Sequence, residues 1–333
     1  MNLLFSCIGR RGYMADYFRP HLLPGERIIG TSHSAWTVGL AACDEAVILP
    51  PIESGEYLET VLDLCGRREI NAVLSFYDPD VAFLSSHRDS LANAGCMPLL
   101  ATPRTVAIAY DKSAMHDRLR AMGYLVPYTV ATIEEAEASI SEGLLRFPLV
   151  VKPRRGFGSL NTFVANTVEQ MRVFHGYAAD MLVQEFIVGE ELNSSIFSDM
   201  DARVLSVVPC RKRLMAGGET QHAESIEHPG LLALSHRLAE DIGSVGPLDV
   251  DFMESRDGRL YVLDLNPRFG GAYPVAQVAG ADFPSLAMAI IRGNAVAPTV
   301  GAYRRGVYMM KAIAIAGGPL TSLDDRSYDD RRY

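Results

Sequence analysis

The stretch from Leu248 to Arg268 constrains this chain more than any other, because it reads as a β-hairpin with carboxylates gathered on one face. Two alternating apolar runs flank Asp257-Gly258, and Asp-Gly between such runs is the strongest short signal for a two-residue turn. That turn sets Arg256 opposite Arg259 and, counting back, Asp251 opposite Asp264. Side chains alternate along a strand. Leu260, Val262, Asp264 and Asn266 therefore share one face, Tyr261, Leu263 and Leu265 take the other, and Asp249 and Asp251 share a face on the partner strand. Like charges opposite each other in a ladder, with Cβ atoms about 5 Å apart, repel. Two carboxylates and an amide placed there ask for a cation, and oxygen ligands of this kind suit Mg²⁺. The competing reading is a hairpin whose acids face water, and a turn longer by one residue breaks the register.

At 333 residues the chain is long for one core, and two or three packed units are expected. An apolar content of 48% with 21% charged residues is that of a globular protein. With 31 basic against 40 acidic residues, net −9, neither nucleic acid nor an anionic membrane is expected as the main partner. The five cysteines, Cys7, Cys43, Cys65, Cys96 and Cys210, are scattered and lack Cys-x-x-Cys spacing, so they read as reduced thiols of a cytoplasmic protein. Arg10 and Arg11 follow the first apolar run, the reverse of a secretory signal. No apolar segment is long enough to span a bilayer.

The first hundred residues alternate strand-like runs (Leu3 to Ile8, Arg27 to Gly30, Glu45 to Leu49, Ala72 to Phe76) with helical ones from about Met14 and near Tyr57 to Arg67. Such alternation predicts a parallel sheet. Gly9-Arg-Arg-Gly12 lacks the G-x-G-x-x-G spacing and reads as a structural turn. Tyr77-Asp-Pro-Asp80 follows a strand's carboxyl end, where ligands of open parallel sheets bind, although turn chemistry explains it equally well. Further on, Asp111 caps a helix that Gly123 ends, with Met115, Leu119 and Met122 on its apolar face.

Phe147-Pro-Leu-Val-Val-Lys-Pro-Arg-Arg-Gly-Phe-Gly-Ser159 is a short apolar strand running into a basic glycine loop. A lysine among valines and leucines is costly unless it meets an anion, and the glycines let backbone N–H groups close around phosphates. The segment Met181 to Leu192 reads as strand, turn and strand, with acids after Gly189.

Taken in order, these motifs resemble the ATP-grasp superfamily, with the flavour of the carbamoyl phosphate synthase large subunit and related carboxylate-amine ligases. The pieces that carry the resemblance are Asp111-Lys-x-x-Met, Pro148-Leu-Val-Val-Lys-Pro with its loop, Gln184-Glu-Phe-Ile-x-Gly-x-Glu191, and Asp249-x-Asp251 followed by Asp264-x-Asn-Pro-Arg268. The resemblance implies an α/β (α+β) fold. A Rossmann-like parallel-sheet domain over 1–105 would precede a two-subdomain ATP-grasp module, its central subdomain over 106–185 and its C-terminal subdomain over 186–333. The resemblance runs to about Asn294, and the Asp/Arg-rich end beyond it reads as disordered from its composition.

The resemblance also implies roles. Lys112 and Lys152 would contact phosphates under a loop that includes Arg155, Gly156, Gly158 and Ser159. Glu185, Phe186 and Ile187 would form the adenine hinge, and Glu191 would hold the ribose. Asp251, Asp264 and Asn266 would bind Mg²⁺, or Mn²⁺ in its place, and Arg268 would steady the transferred phosphoryl group. The metal acid of the last strand is usually glutamate in this family, and aspartate stands here. Arg211 and Arg213 are the expected grip on a substrate carboxylate. The implied activity is an ADP-forming ligase that joins a small carboxylate to an amine through an acyl phosphate, in a monomer or homodimer. A nucleotide-binding regulator that has lost turnover, and an acyl-phosphate-forming enzyme without an amine step, are the alternatives.

Overall fold

The computed structural model describes residues 1–156, 158, 160–313 and 315, so Ser159 and the expected disordered end lie outside the described residues. Five parallel strands open the chain: β1 (Asn2–Ser6), β2 (Arg27–Ser32), β3 (Glu45–Ile48), β4 (Ile70–Ser75) and β5 (Met97–Pro98), in the order β3-β2-β1-β4-β5. Leu3, Leu4 and Phe5 are all fully buried, the continuous apolar run of a strand covered on both faces. The order reverses between β1 and β4, the switch point outside which open parallel sheets bind ligands. The expected α/β (α+β) architecture is met, because antiparallel sheets follow.

The second sheet has four strands: β6 (Thr129–Val130), β7 (Leu149–Pro153), β8 (Phe163–Ala165) and β9 (Met181–Glu185), in the order β6-β9-β7-β8. The third has six: β10 (Gly189–Ser198), β11 (Val204–Ala216), β12 (Glu219–Ser225), β13 (Gly246–Ser255), β14 (Leu260–Asn266) and β15 (Tyr308–Met310), in the order β14-β13-β10-β11-β12-β15. Residues of the 106–126 segment pack into the core of this third sheet. Ile108, Met115, Leu119, Tyr124 and Val126 share one cluster with Ile196, Val250 and Phe252. A second cluster ties the first sheet to the third, where Phe5, Phe18 and Phe76 meet Phe197, Phe269 and Phe283. That aromatic joint holds the carboxyl end of β4 against the end of β14.

The hairpin reaches its expected pairing by a different route. Glu254 pairs with Leu260 and Met253 with Tyr261, so the turn spans Arg256, Asp257 and Gly258 rather than two residues. Gly258 has φ +78°, the left-handed residue that closes three-residue hairpins. A bulge between Asp251 and Phe252 then restores Asp251 opposite Asp264 and Asp249 opposite Asn266. The bulge also re-aims side chains. Val262, expected beside Asp264, lies in the core with Leu265, and Leu263 turns to the cleft with Asp264.

Candidate active site

Leu149 and Val151 are buried in the core of the second sheet, so alternation sends Val150 and Lys152 to its other face. There they line a cavity of about 300 Å³ together with Gln184, which pairs with Val150 across the ladder. Burial pulls the Lys152 ammonium down to about 8, against the attraction of Asp264 and with the repulsion of Lys112.

Lys112 opens the helix Lys112–Ala121, and the Asp111 side chain accepts from the Ser113 and Ala114 backbone N–H groups at 3.1 and 3.2 Å. The same carboxylate receives Arg154 Nε at 2.7 and 2.8 Å. Lys112 donates its backbone N–H to the Arg154 carbonyl at 3.0 Å and its Nζ to the Gly156 carbonyl at 2.7 Å. Helix cap and glycine loop are therefore one connected unit. At Gly158 (φ +63°) an added Cβ would press on Gly218, and at Gly218 (φ +72°) on Gly158. The loop thus meets the β11–β12 turn backbone to backbone.

On the third sheet the positive charge that the acids ask for comes from two lysines. Lys212 Nζ lies 2.6 Å from Asp251 and 2.8 Å from Glu191, and Lys112 Nζ lies 3.2 Å from Asp264. Asn193 Nδ2 donates to Asp249 at 2.9 Å and to Asp251 at 2.8 Å. Burial, with the neighbouring Asp251, pushes the Asp249 carboxyl up. Burial also pushes Asp251 up, but Lys212 outweighs it and holds that carboxyl below its ordinary range. Arg268, buried, donates to Asp78 at 3.1 and 3.2 Å and to Asn266 Oδ1 at 3.2 Å.

Most of the expected set converges. Lys112, Lys152, Gly156, Asp251 and Asp264 line the 300 Å³ cavity, and so do Glu185, Phe186, Ile187 and Glu191 from the crossing between β9 and β10. Arg155 and Asn266 line a neighbouring cavity instead. Arg211 and Arg213 are not brought to the cavity. Arg211 pairs with Glu190 and Glu224, both at 2.6 Å, and Arg213 with Glu224 at 2.7 Å. Strand alternation puts Lys212, between them, on the cleft face. Alternation lets only one side of the run face the acids, and the neighbouring strands decide which.

Gln184 is a second residue that the motif reading left without a role. Its Nε2 donates to Thr129 Oγ1 at 2.9 Å, and that hydroxyl donates in turn to the Pro127 carbonyl at 3.0 Å. The amide oxygen is left for the cavity. Asp251 and Asp264 fit a Mg²⁺ whose remaining ligands are water and phosphate, whereas the Asn266 oxygen is engaged by Arg268. Among the described residues, no group of three or more His, Cys, Asp or Glu side chains is placed to hold a metal by itself.

Family models match two stretches of the chain: residues 3–99 match the PylC-like N-terminal domain, and residues 109–272 match the ATP-grasp domain. The chain carries an ATP-grasp domain. Over 210 residues it is 26% identical to a D-alanine–D-alanine ligase of Stutzerimonas stutzeri, covering 56% of this chain and 65% of that ligase. Over 274 residues it is 24% identical to the arginine-specific carbamoyl phosphate synthase large chain of Geobacillus stearothermophilus, covering 76% of this chain and 25% of that one. The biotin carboxylase domain dimer of 2-oxoglutarate carboxylase from Hydrogenobacter thermophilus, solved with MgADP and bicarbonate, superposes with a TM-score of 0.73 at 15% identity, covering 92% of this chain and 73% of that one. That likeness is one of fold. No described helix is long and apolar enough to cross a membrane.

Proposed function

We propose that this protein is an ADP-forming carboxylate-amine ligase that joins an amino acid or similar small carboxylate to an amine through an acyl phosphate. The observation that carries the proposal is the meeting of Lys112, Lys152 and the Asp251–Asp264 ladder in one cavity, beside the glycine loop. ATP binds with its base at the 185–187 crossing and its phosphates between the two lysines. Phosphoryl transfer needs mainly positioning and charge neutralisation, which these groups supply at opposite walls. Mg²⁺, or Mn²⁺ in its place, held by Asp251 and Asp264 supplies Lewis-acid neutralisation of the phosphates.

In the first step an oxygen of the substrate carboxylate attacks the γ-phosphorus, the bond to the β–γ bridging oxygen breaks, and ADP leaves. In the second, an amine nitrogen attacks the acyl carbon, phosphate leaves, and the amine's proton passes to water. Arg268 steadies the transferred group, and the glycine loop keeps water from the acyl phosphate. The working unit is a cytoplasmic monomer or homodimer, organised as 1–105, 106–185 and 186–333. The test is Mg²⁺-dependent ADP release across a matrix of carboxylates and amines, led by free amino acids. Release that requires particular acid and amine pairs supports a ligase. Release without amine dependence supports the acyl-phosphate enzyme, and ATP binding without any release supports the regulator.

A further inference from the structure

A second cavity, of about 110 Å³, opens between the helix Asp78–Ser86, the helix Pro103–Ala109 and β14. Its walls are mostly apolar, with Val81, Val106, Ala109 and Tyr110 among them, and Asp78, Asn266 and Arg155 add polar groups. Three residues, Lys112, Gly156 and Asp264, line both this cavity and the 300 Å³ one. They are the partition between the two spaces.

In-line phosphoryl transfer puts the attacking and leaving oxygens on opposite sides of the phosphorus. With the nucleotide in the larger cavity, a phosphoryl group at the partition is open to attack from the smaller one. We infer that the smaller cavity seats the carboxylate substrate, and that this substrate is a free α-amino acid with a compact apolar side chain. The inference rests on the ligase reading above and gives that reading its substrate class.

Three features select that class. The volume lies below the 150 Å³ of an apolar cavity that takes benzene, so it holds a side chain of about three to five heavy atoms. Lys112 at the partition and Arg155 on the wall of the smaller cavity are the cations placed to receive a carboxylate. Asp78 receives both of its Arg268 bonds on Oδ2, which leaves Oδ1 for an α-ammonium. Asp78 is the first acid of Tyr77-Asp-Pro-Asp80, the motif at the end of β4 for which the sequence leaves ligand binding and turn chemistry both open.

Hydroxylamine trapping tests this without knowledge of the amine, because it converts an acyl phosphate into a hydroxamate. The enzyme, ATP and Mg²⁺ are assayed with glycine, alanine, valine, leucine, phenylalanine and glutamate in both enantiomers, and with propanoate. Hydroxamate is expected from alanine, valine or leucine, and alanine is expected to exceed propanoate at least tenfold in kcat/KM. Ala109→Leu should lower the valine-to-glycine ratio of kcat/KM at least tenfold, and Val106→Ala should shift the optimum to a larger side chain. The KM for ATP should stay within twofold in both, since neither residue lines the larger cavity. Hydroxamate with unchanged side-chain selectivity in both variants, or only from phenylalanine or glutamate, overturns the cavity assignment alone. ATP binding with neither hydroxamate nor ADP from any carboxylate overturns the ligase reading and the inference with it.

Discussion

Asp251 and Asp264 face each other across one ladder, yet they are neutralised from different directions. Asp251 is met from within its own sheet by Lys212, whose side chain is 6% exposed and also holds Glu191. Asp264 is met by Lys112, which comes from a helix outside the sheet and also holds the glycine loop at Gly156. One wall of the cleft is thus fixed by a continuous sheet, and the other is tied to the loop that covers it. The contrast teaches that two chemically equivalent aspartates can divide the work. One maintains the wall, and the other couples charge at the partition to the position of the loop.

The sharpest way to break this comparison is to remove the two acids in turn. Asp251→Ala and Asp264→Ala should each lower ADP release about a hundredfold or more, as loss of a metal carboxylate does. Asp251→Ala should cost more stability, about 3 kcal/mol in urea unfolding, because it breaks the shorter pair, at 2.6 Å, with the more deeply buried lysine. Asp264 is no more exposed than Asp251, but its pair with Lys112 is longer, at 3.2 Å, and Lys112 keeps the Gly156 carbonyl, so its loss should cost less, about 1 kcal/mol. Equal losses of stability would erase the distinction between the walls.

Gly218→Ala tests the loop side. Its Cβ would press on Gly158 at a positive φ, so ADP release should fall about tenfold while stability falls only about 1 kcal/mol. A variant that releases ADP like the parent chain would mean the two turns need not meet during turnover.

Lys152 sharpens the comparison through pH. Its pKa in the fold is about 8, below its ordinary 10.5, so between these values the unfolded chain binds more protons and stability rises with pH. Phosphates favour the charged lysine. ATP binding should therefore take up a proton above pH 8 and weaken by at most about tenfold per pH unit. Calorimetry in buffers of different ionisation enthalpy reads the proton directly, and a binding enthalpy independent of buffer at pH 9 would contradict it.

The smallest effects belong to the arginines turned from the cleft. Arg211→Ala and Arg213→Ala should each change stability by about 1 kcal/mol or less and ADP release by about twofold or less, whereas Lys212→Ala should reduce release far more. A large loss at either arginine would return it to the substrate site.

The sequence was most informative where a single local rule governs. The strands and helices of the first sheet fall where alternation put them, and Asp111 caps its helix as its position before Lys112 implies. The hairpin was legible for a weaker reason. A three-residue turn and a bulge shift the register in opposite senses, so the expected Asp251–Asp264 pair survives although the expected side for Val262 does not. Lys212 was hidden because a lysine between two arginines looks like one charged run until the strand's neighbours are known. The smaller cavity was invisible for a different reason, since Asp78, Val106 and Asn266 come from segments far apart in the chain and meet only through tertiary packing.

The most direct measurement of the central claim is isotope transfer from the carboxylate that supports ADP release. With both carboxyl oxygens labelled as ¹⁸O, transfer through an acyl phosphate leaves one labelled oxygen in each phosphate released with the amide. The account predicts one ¹⁸O per phosphate by mass spectrometry, and unlabelled phosphate would contradict it.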